Sequence, residues 1–316
     1  MGLVEALPLD DDALRQLRDA QRHFADAEAA RAAAAALSGG MVWKRVKGRD
    51  YLVRTSRTGA QTSLGPRSET TERQHAAFFP ARDAARARLA EARAQLERDR
   101  RVNRALRVGR APAGLMDLLS ALAEAGLGGS VAALGSEALY AYEALLGLRF
   151  SAALLGLASQ ASPGGVPPRR LAIDEAALRD GAAQRLERVD PRLQLPRRGR
   201  GPAVEGPVVV TPSGAPRAGA LPGDADTADL AGLAAAPRIS TVVVGADGRM
   251  ARMNAVAPAA LVAHLDARSQ ARRQAGQSVD ARDVALAEAI DRLLESAGGP
   301  AAAGVSAAGS ADRAAG

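Results

Sequence analysis

The sequence predicts an α+β protein in which a basic β-hairpin and long helices precede a small mixed sheet with helices. Apolar residues recur at helical spacing, most clearly over residues 115–122. A β-branched run over 239–244 and a second strand over 249–253 flank Asp247-Gly248, a pair typical of hairpin turns. The 316 residues are enough for about two domains, and the lack of cysteine excludes a disulfide framework.

The first elements are predicted to be a helix and a small β unit. A helix that runs to about Leu37 is expected, because Asp10-Asp11-Asp12 can cap its start and Ser38-Gly39-Gly40 follows its end. Short strands are expected at residues 43–47, 51–55 and 62–64.

A second long helix is predicted from the N-cap Ser68 to about Leu106. Pro80 lies inside this range and is expected to cause a restart or a kink, since proline has no backbone N–H to donate. Apolar positions are sparse and arginine fills much of the rest, so we expect a solvated cationic helix rather than a core helix.

A packed domain is predicted to begin after residue 112. A helix over residues 115–122, a buried strand over 130–134 and an apolar helix over 137–146 follow one another closely. Close succession of apolar elements favours a common core.

The pattern weakens in the region that follows. A loop is expected over residues 158–170 and a helix over 171–188. Residues 191–223 are rich in proline, glycine and arginine, and we expect them to be mobile apart from a strand at 207–211.

The C-terminal region is predicted to hold a hairpin over residues 239–253, helices near 258–267 and 281–294, and a disordered tail. The domain division that follows is an N-terminal helix at 1–40, a basic hairpin and long helical segment at 41–110, a main domain at 111–297 and the tail at 298–316.

Positive charge is concentrated in one segment. Residues 41–110 hold 18 Lys and Arg against 7 Asp and Glu, whereas the whole chain carries a net charge of +7. A basic segment attracts phosphate-bearing partners through long-range electrostatics and counterion release. The alternative is a solvated arginine-rich helix without a partner.

Several classes of protein are disfavoured. Without cysteine there is no thiolate zinc site and no cysteine nucleophile, and the three histidines, His23, His75 and His264, have no metal-ligand spacing. The sequence has no Gly-x-Ser-x-Gly elbow and no Walker-type loop. We expect a cytoplasmic protein without a membrane partner, because no secretory signal and no long apolar run is found.

A phosphate site is suggested by Gly135-Ser136, which stand between the predicted strand 130–134 and the predicted helix 137–146. Glycine permits close backbone approach, and a helix N-terminus offers unpaired N–H groups to an anion. An ordinary turn is the alternative, since glycine is common where strands meet helices.

Several stretches resemble a bacterial family of uncharacterised proteins with a nucleotidyltransferase fold of the DNA polymerase beta type. The resemblance follows the family order over about residues 41–294. The stretches that carry it are Trp43-Lys44-Arg45, Tyr51-Leu52, residues 63–70, Asn103-Arg104-Ala105-Leu106-Arg107 and residues 135–143.

The resemblance implies a Gly-Ser turn that holds nucleotide phosphates, here Gly135-Ser136, and three carboxylates that bind Mg²⁺. This sequence departs from that pattern: the only acids between Ser136 and Ile173 are Glu137 and Glu143, and no aspartate pair is present over residues 154–163. We therefore expect a catalytically degenerate nucleotidyltransferase-like protein, with Mg²⁺ as a cofactor only if it is active.

Two alternatives stay open. An active enzyme would take its metal ligands from positions such as Asp174 or Glu205. A nucleic-acid-binding or protein-interaction module would instead use the basic segment 41–110. The candidate nucleic-acid or phosphate contacts in that segment are Lys44, Arg45, Lys47, Arg67, Arg104 and Arg107.

Overall fold

The computed structural model describes residues 6–134, 137–152, 154, 170–173, 185, 188, 193–194, 208–212 and 233–296. The protein is α+β with small sheets, as the sequence predicts. Its helices are α1 (Asp11–Ala36), α2 (Glu69–Ala105), α3 (Ala113–Glu124), α4 (Ala138–Leu146), α5 (Pro258–Gln274) and α6 (Ala281–Ser296). Its strands are β1 (Ala6–Pro8), β2 (Gly40–Val46), β3 (Arg49–Thr55), β4 (Gln61–Pro66), β5 (Val131–Leu134), β6 (Leu148–Phe150), β7 (Arg170–Ile173), β8 (Leu193–Gln194), β9 (Val208–Pro212), β10 (Arg238–Val244) and β11 (Met250–Val256).

The main sheet has six strands in the order β10-β11-β5-β7-β9-β8. It is mixed, because β5 pairs parallel with β11 and antiparallel with β7. Helices α3 to α6 contribute buried side chains to one core with β5, β6, β10 and β11. We call this unit, from α3 to α6 with its sheet, the body.

Helices α1 and α2 form an antiparallel pair that we call the arm. Gln16 near the start of α1 contacts Asn103 near the end of α2, and His23 contacts Asp99. Leu37, just beyond the end of α1, packs against a small apolar cluster that contains Phe78, in the first third of α2. The arm therefore runs from the body outward along α1 and returns along α2.

Strands β2, β3 and β4 form a separate antiparallel sheet, which we call the tip sheet. The turn between β2 and β3 is Lys47-Gly48, with φ of +50° and +78°. Positive φ at both positions is the geometry of the two-residue hairpin turn that matches the twist of the strands. Leu52 at the centre of the sheet packs with Met41 and Phe78, so the tip sheet lies on the N-terminal part of α2.

The arm is anchored to the body by apolar and polar contacts. Ala13 and Leu17 of α1 share a small core with Val108 and Val244. The Gln21 amide donates hydrogen bonds to the carbonyl oxygens of Ala144 and Val242 at 3.1 and 3.3 Å. These contacts hold the first half of α1 against α4 and β10.

The structure corrects three predictions. Residues 171–173, predicted to begin a helix, belong to β7, where pairing with β5 and β9 outweighs local helix propensity. Pro80 does not restart the helix, since α2 is continuous through it, while the alternative of a kink stays a prediction. The arginine-rich helix is not solvated on all sides, because Phe78, Ala85, Asp99 and Asn103 are buried in the arm or against the body.

Other predictions fall outside the described residues or stay untested. The loop predicted over 158–170 lies outside the described part except for Arg170, which belongs to β7. The predicted Gly135-Ser136 turn and the tail at 298–316 also lie outside it, and the division of the chain at residues 40, 110 and 297 stays a prediction. Among the helices that the structure describes, none combines the length and apolar character that crossing a bilayer requires.

Candidate functional site

The six cations predicted to contact phosphate fall into two groups. Lys44, Arg45, Lys47 and Arg67 belong to the tip sheet or its flanking turns. Arg104 and Arg107 lie at the opposite end of α2, beside the body. At 1.5 Å per residue, Phe78, on which the tip sheet lies, and Arg104 are about 40 Å apart along the helix, so the two groups cannot form one compact site.

The tip sheet is held to the arm by Arg54 on β3. Its guanidinium donates hydrogen bonds to four backbone carbonyl oxygens, those of Ala36, Ser38, Gly40 and Thr55, at 2.5–3.2 Å. The same guanidinium lies 4.6 Å from the ring centroid of Phe78. One side chain thus joins the end of α1, the tip sheet and α2.

The inner face of the tip sheet, on which Leu52 lies, carries Trp43. Trp43 contacts the ring of His75 at a centroid distance of 5.7 Å, and the guanidinium of Arg67 lies 5.2 Å from the Trp43 ring centroid. Arg67 also forms an ion pair with Glu72 at 2.7 Å. Arg67 is therefore engaged in holding the tip sheet on α2.

The outer face is the side opposite Leu52. Because side chains alternate along a strand, Tyr51 and Val53 point to this face, and so do the residues paired with them on β2, Lys44 and Val42. Val42 is 51% exposed. The Lys44 ammonium donates a hydrogen bond across β3 to the Gln61 side chain at 3.4 Å, and Val53 beneath this crossing is buried.

The tip segment, residues 38–68, is strongly cationic. It contains seven Lys and Arg and a single acid, Asp50. Hydrogen bonding by Arg45 is the main cause that lowers the pKa of the Asp50 carboxyl, so this acid is ionised and neutralises Arg45. Arg54 and Arg67 are engaged in the contacts described above. The other four cations of the tip segment form no ion pair with a carboxylate among the described residues; they are Lys44, Lys47, Arg49 and Arg57.

The second predicted site lies where β5 meets α4 in the body. Gly135 and Ser136 themselves are outside the described residues, but the strand and the helix predicted on either side of them are present, since β5 ends at Leu134 and α4 begins at Ala138. Both flanking elements are buried in the main core. The phosphate site at Gly135 and Ser136 therefore stays a prediction.

One acid near this turn, Glu143, is engaged in structural contacts. Glu143 forms an ion pair with Arg110 and accepts a hydrogen bond from the backbone N–H of Phe150 at 2.8 Å. Within the described ranges, no group of three or more His, Cys, Asp or Glu could hold a metal ion. The described side chains therefore do not fit a Mg²⁺ site, while Asp174 and Glu205 lie outside those ranges.

Burial also affects a tyrosine beside this ion pair. Burial is the largest cause that raises the pKa of Tyr140 to about 12, and the charge of Glu143 adds to it while Arg110 opposes it. The neighbouring Tyr142 is fully buried and donates a hydrogen bond to the carbonyl oxygen of Val256 at 2.8 Å. Both hydroxyls stay protonated at neutral pH, and both residues are part of the core of the body.

Sequence reasoning missed a polar cluster inside the arm. His23 Nδ1 lies 2.9 Å from the carboxylate of Asp99, and Gln95 donates a hydrogen bond to the same carboxylate at 3.1 Å. The cluster lies beside a groove of about 880 Å³ between α1 and α2 that is lined largely by alanine. No sequence signal marks this cluster, because His23 is 76 positions from Asp99 along the chain and the three residues belong to no motif.

Comparison with protein families, curated proteins and solved structures finds no match for this chain. The geometry of its own residues is therefore the basis for a functional proposal.

Proposed function

We propose that the protein binds nucleic acid through the tip sheet. The observation that carries the proposal is the charge of residues 38–68, with seven cations against one acid at the outer end of the arm. Four of these cations have no carboxylate partner among the described residues. Such cations are available to phosphate groups, which they bind with release of counterions.

The arrangement of the arm supports this proposal. The helices α1 and α2 place the tip sheet about 40 Å from the body contact at Asn103, as counted along α2 from Phe78. A basic surface at the end of an extended arm can reach a phosphate backbone without a steric clash with the body. Basic surfaces of this kind also raise association rates by electrostatic steering.

The proposal is tested with two triple variants of equal charge change. Lys44, Lys47 and Arg49 are replaced by alanine in one variant, and the exposed Arg101, Arg104 and Arg107 in the other. Binding of a labelled strand of about 20 nucleotides and of its duplex is followed by fluorescence anisotropy at several salt concentrations from about 50 to about 200 mM.

We expect the tip variant to bind at least about tenfold more weakly than the unchanged protein. The slope of log K against log salt concentration should become shallower by about 2, because each lost phosphate contact removes about 0.7–0.9 from its magnitude. The control variant should bind within about threefold of the unchanged protein. Equal losses in both variants would mean that binding follows net charge and not the tip, and the absence of binding at low salt would refute the proposal.

A second proposal concerns the body, which is nucleotidyltransferase-like by resemblance and would bind a nucleotide at the β5–α4 turn. It is supported by the buried strand β5 leading into the buried helix α4 within a mixed sheet. A helix N-terminus behind a glycine turn suits phosphate.

Calorimetric titration with the four ribonucleoside triphosphates, each with and without Mg²⁺, tests this second proposal. Metal-dependent binding would direct the next experiment to transfer of a labelled nucleotide. If the Ser136→Ala variant binds the nucleotide as the unchanged protein does and Mg²⁺ has no effect, the nucleotide binds at another place. If no nucleotide binds, the nucleotide proposal is refuted, while the proposal for the tip sheet is not affected.

A further inference from the structure

The outer face of the tip sheet combines features that simple attraction to phosphate does not require. Besides Lys44, it carries the ring of Tyr51 and the exposed side chain of Val42. Val46, two residues beyond Lys44 on β2, is 46% exposed and lies on the same face by alternation. Two exposed valines and a half-buried aromatic ring among cations indicate a partner with both flat apolar surfaces and negative charge.

We propose that this face binds single-stranded nucleic acid, with one or more unpaired bases stacked over Tyr51 and phosphates held by the surrounding cations. The proposal rests on the proposed nucleic-acid function of the tip and names the form of nucleic acid that it takes. Stacking platforms set in a cationic surface are the general means by which proteins hold single strands without reading their sequence.

The dimensions of the face suit a short segment of strand. Val42, Lys44 and Val46 stand along β2 at intervals of two residues, which is about 6.6 Å each. Tyr51 stands directly opposite Lys44 on the neighbouring strand, about 5 Å away. A face of this size accommodates about two or three bases, as small antiparallel sheets with one aromatic row do.

One cation lies in the centre of the face and the others lie at its ends. Lys44 is paired with Tyr51 in the centre, while Lys47 lies in the turn at one end of the face and Arg49 directly follows that turn. Arg57 lies in the turn between β3 and β4, at the opposite end. A strand that crosses the face from one turn to the other therefore meets positive charge at both ends and the aromatic ring between them.

A duplex would use this surface poorly. Its bases are already stacked and paired inside the helix, so Tyr51, Val42 and Val46 would face phosphates and sugars rather than bases. The cations would still attract a duplex, but the apolar side chains of the face would make no contacts with bases and would add nothing to the affinity. The structure thus predicts a preference for single strands that depends on Tyr51 and not on charge alone.

The preference is tested with the full chain, a labelled 12-nucleotide single strand and the duplex of the same sequence. Tyr51→Ala and Tyr51→Phe variants are compared with Val102→Ala, which removes an exposed apolar side chain of α2 outside the tip sheet. Emission of Trp43, the only tryptophan in the chain, verifies that the tip sheet of each variant is folded.

We expect tighter binding of the single strand than of the duplex, and a Tyr51→Ala loss for the single strand of about 5- to 150-fold, which is the range for removing one stacking side chain. Tyr51→Phe should retain most of the affinity, because it keeps the ring, and Val102→Ala should have no effect. Duplex affinity should be nearly unchanged in all three variants.

The outcomes separate this inference from the proposed function. If single strand and duplex bind equally, or if Tyr51→Ala binds like the unchanged protein while the Lys44/Lys47/Arg49 variant is weakened, the tip binds phosphate but the stacking inference is wrong. If the triple tip variant also binds like the unchanged protein, both the inference and the proposed function fail.

Discussion

The side-chain amide of Asn103, on α2, donates a hydrogen bond to the backbone carbonyl of Gly248 in the β10–β11 turn at a distance of 3.2 Å. The two residues are 145 positions apart, and Asn103 is almost fully buried. Its carbonyl oxygen accepts a second hydrogen bond from Gln16 of α1 at 3.0 Å. A single side chain therefore links both helices of the arm to the body.

Replacement of Asn103 by alanine should destabilise the protein by about 1–3 kcal/mol, because the Gly248 carbonyl and the Gln16 amide lose a buried partner. Urea unfolding measures this change. Arg104→Ala, at an exposed neighbouring position, should alter the free energy of unfolding by less than about 0.5 kcal/mol. An Asn103→Ala effect as small as this control would mean that the contact does not anchor the arm.

Replacement of Gly248 by alanine should cost more than the same change at Gly276. Both glycines have positive φ, +81° and +68°, so both changes carry the backbone penalty of the left-handed region. A Cβ at residue 248 would lie 2.0 Å from the carbonyl oxygen of Arg100, whereas at residue 276 nothing lies within 4 Å. The difference between the two changes in melting temperature measures the steric part alone, and equal changes would contradict the close approach of α2 to the turn.

Alkaline pH should destabilise the protein partly through Tyr140. Its pKa is raised from 10.0 to about 12 in the folded protein, so the folded state keeps a proton that the unfolded chain loses. The stabilisation is complete below pH 10 and declines as pH rises from 10 through 12, by up to about 1.4 kcal/mol per pH unit.

The Tyr140→Phe variant provides the control for this pH dependence, since it has no hydroxyl to ionise at residue 140. Thermal unfolding of both proteins is measured from about pH 8 to about pH 11, a range that includes the ordinary tyrosine pKa of about 10. The melting temperature should decline less with rising pH in the variant than in the unchanged protein. Parallel curves would contradict the assignment of the shifted pKa to Tyr140.

Removal of the Arg54 side chain should loosen the tip sheet while leaving the body intact. Arg54→Ala leaves four carbonyl oxygens without this donor and removes the cation–π contact with Phe78. Amide hydrogen exchange should accelerate in β2 to β4 and stay unchanged in β10 and β11. Arg57→Ala, in the exposed turn of the same sheet, is the matched control; faster exchange throughout the chain would show that the tip and the body unfold together.

Most of the individual elements could be predicted from local sequence. The helices α1 to α4, the three strands of the tip sheet and the β10–β11 hairpin follow from caps, spacing and turn residues within each segment. Strands β1 and β6 were not predictable in this way. Each has three residues, and they exist because Ala6–Pro8 pair with Leu148–Phe150 from a distant part of the chain.

The arm was harder to predict because its contacts are unlike those of an ordinary core. Its helices approach through alanines, and the polar side chains Asp99 and Asn103 are buried between them or against the body. In a one-dimensional pattern such residues look solvent-facing. The separation of Lys44 from Arg104 could not be foreseen either, since both occur in one basic segment and only the continuous helix keeps them apart.

Pro80 is the one proline in α2, and it lies two residues beyond Phe78, where the tip sheet rests on the helix. Because proline has no N–H, the carbonyl of Ala76 lacks the helical hydrogen bond that residue 80 would donate. Arg54 nevertheless joins the tip sheet to the end of α1 as well as to Phe78 of α2. The tip sheet is therefore held by both helices of the arm, and the direction of its outer face does not depend on the single turn of α2 that lacks this hydrogen bond.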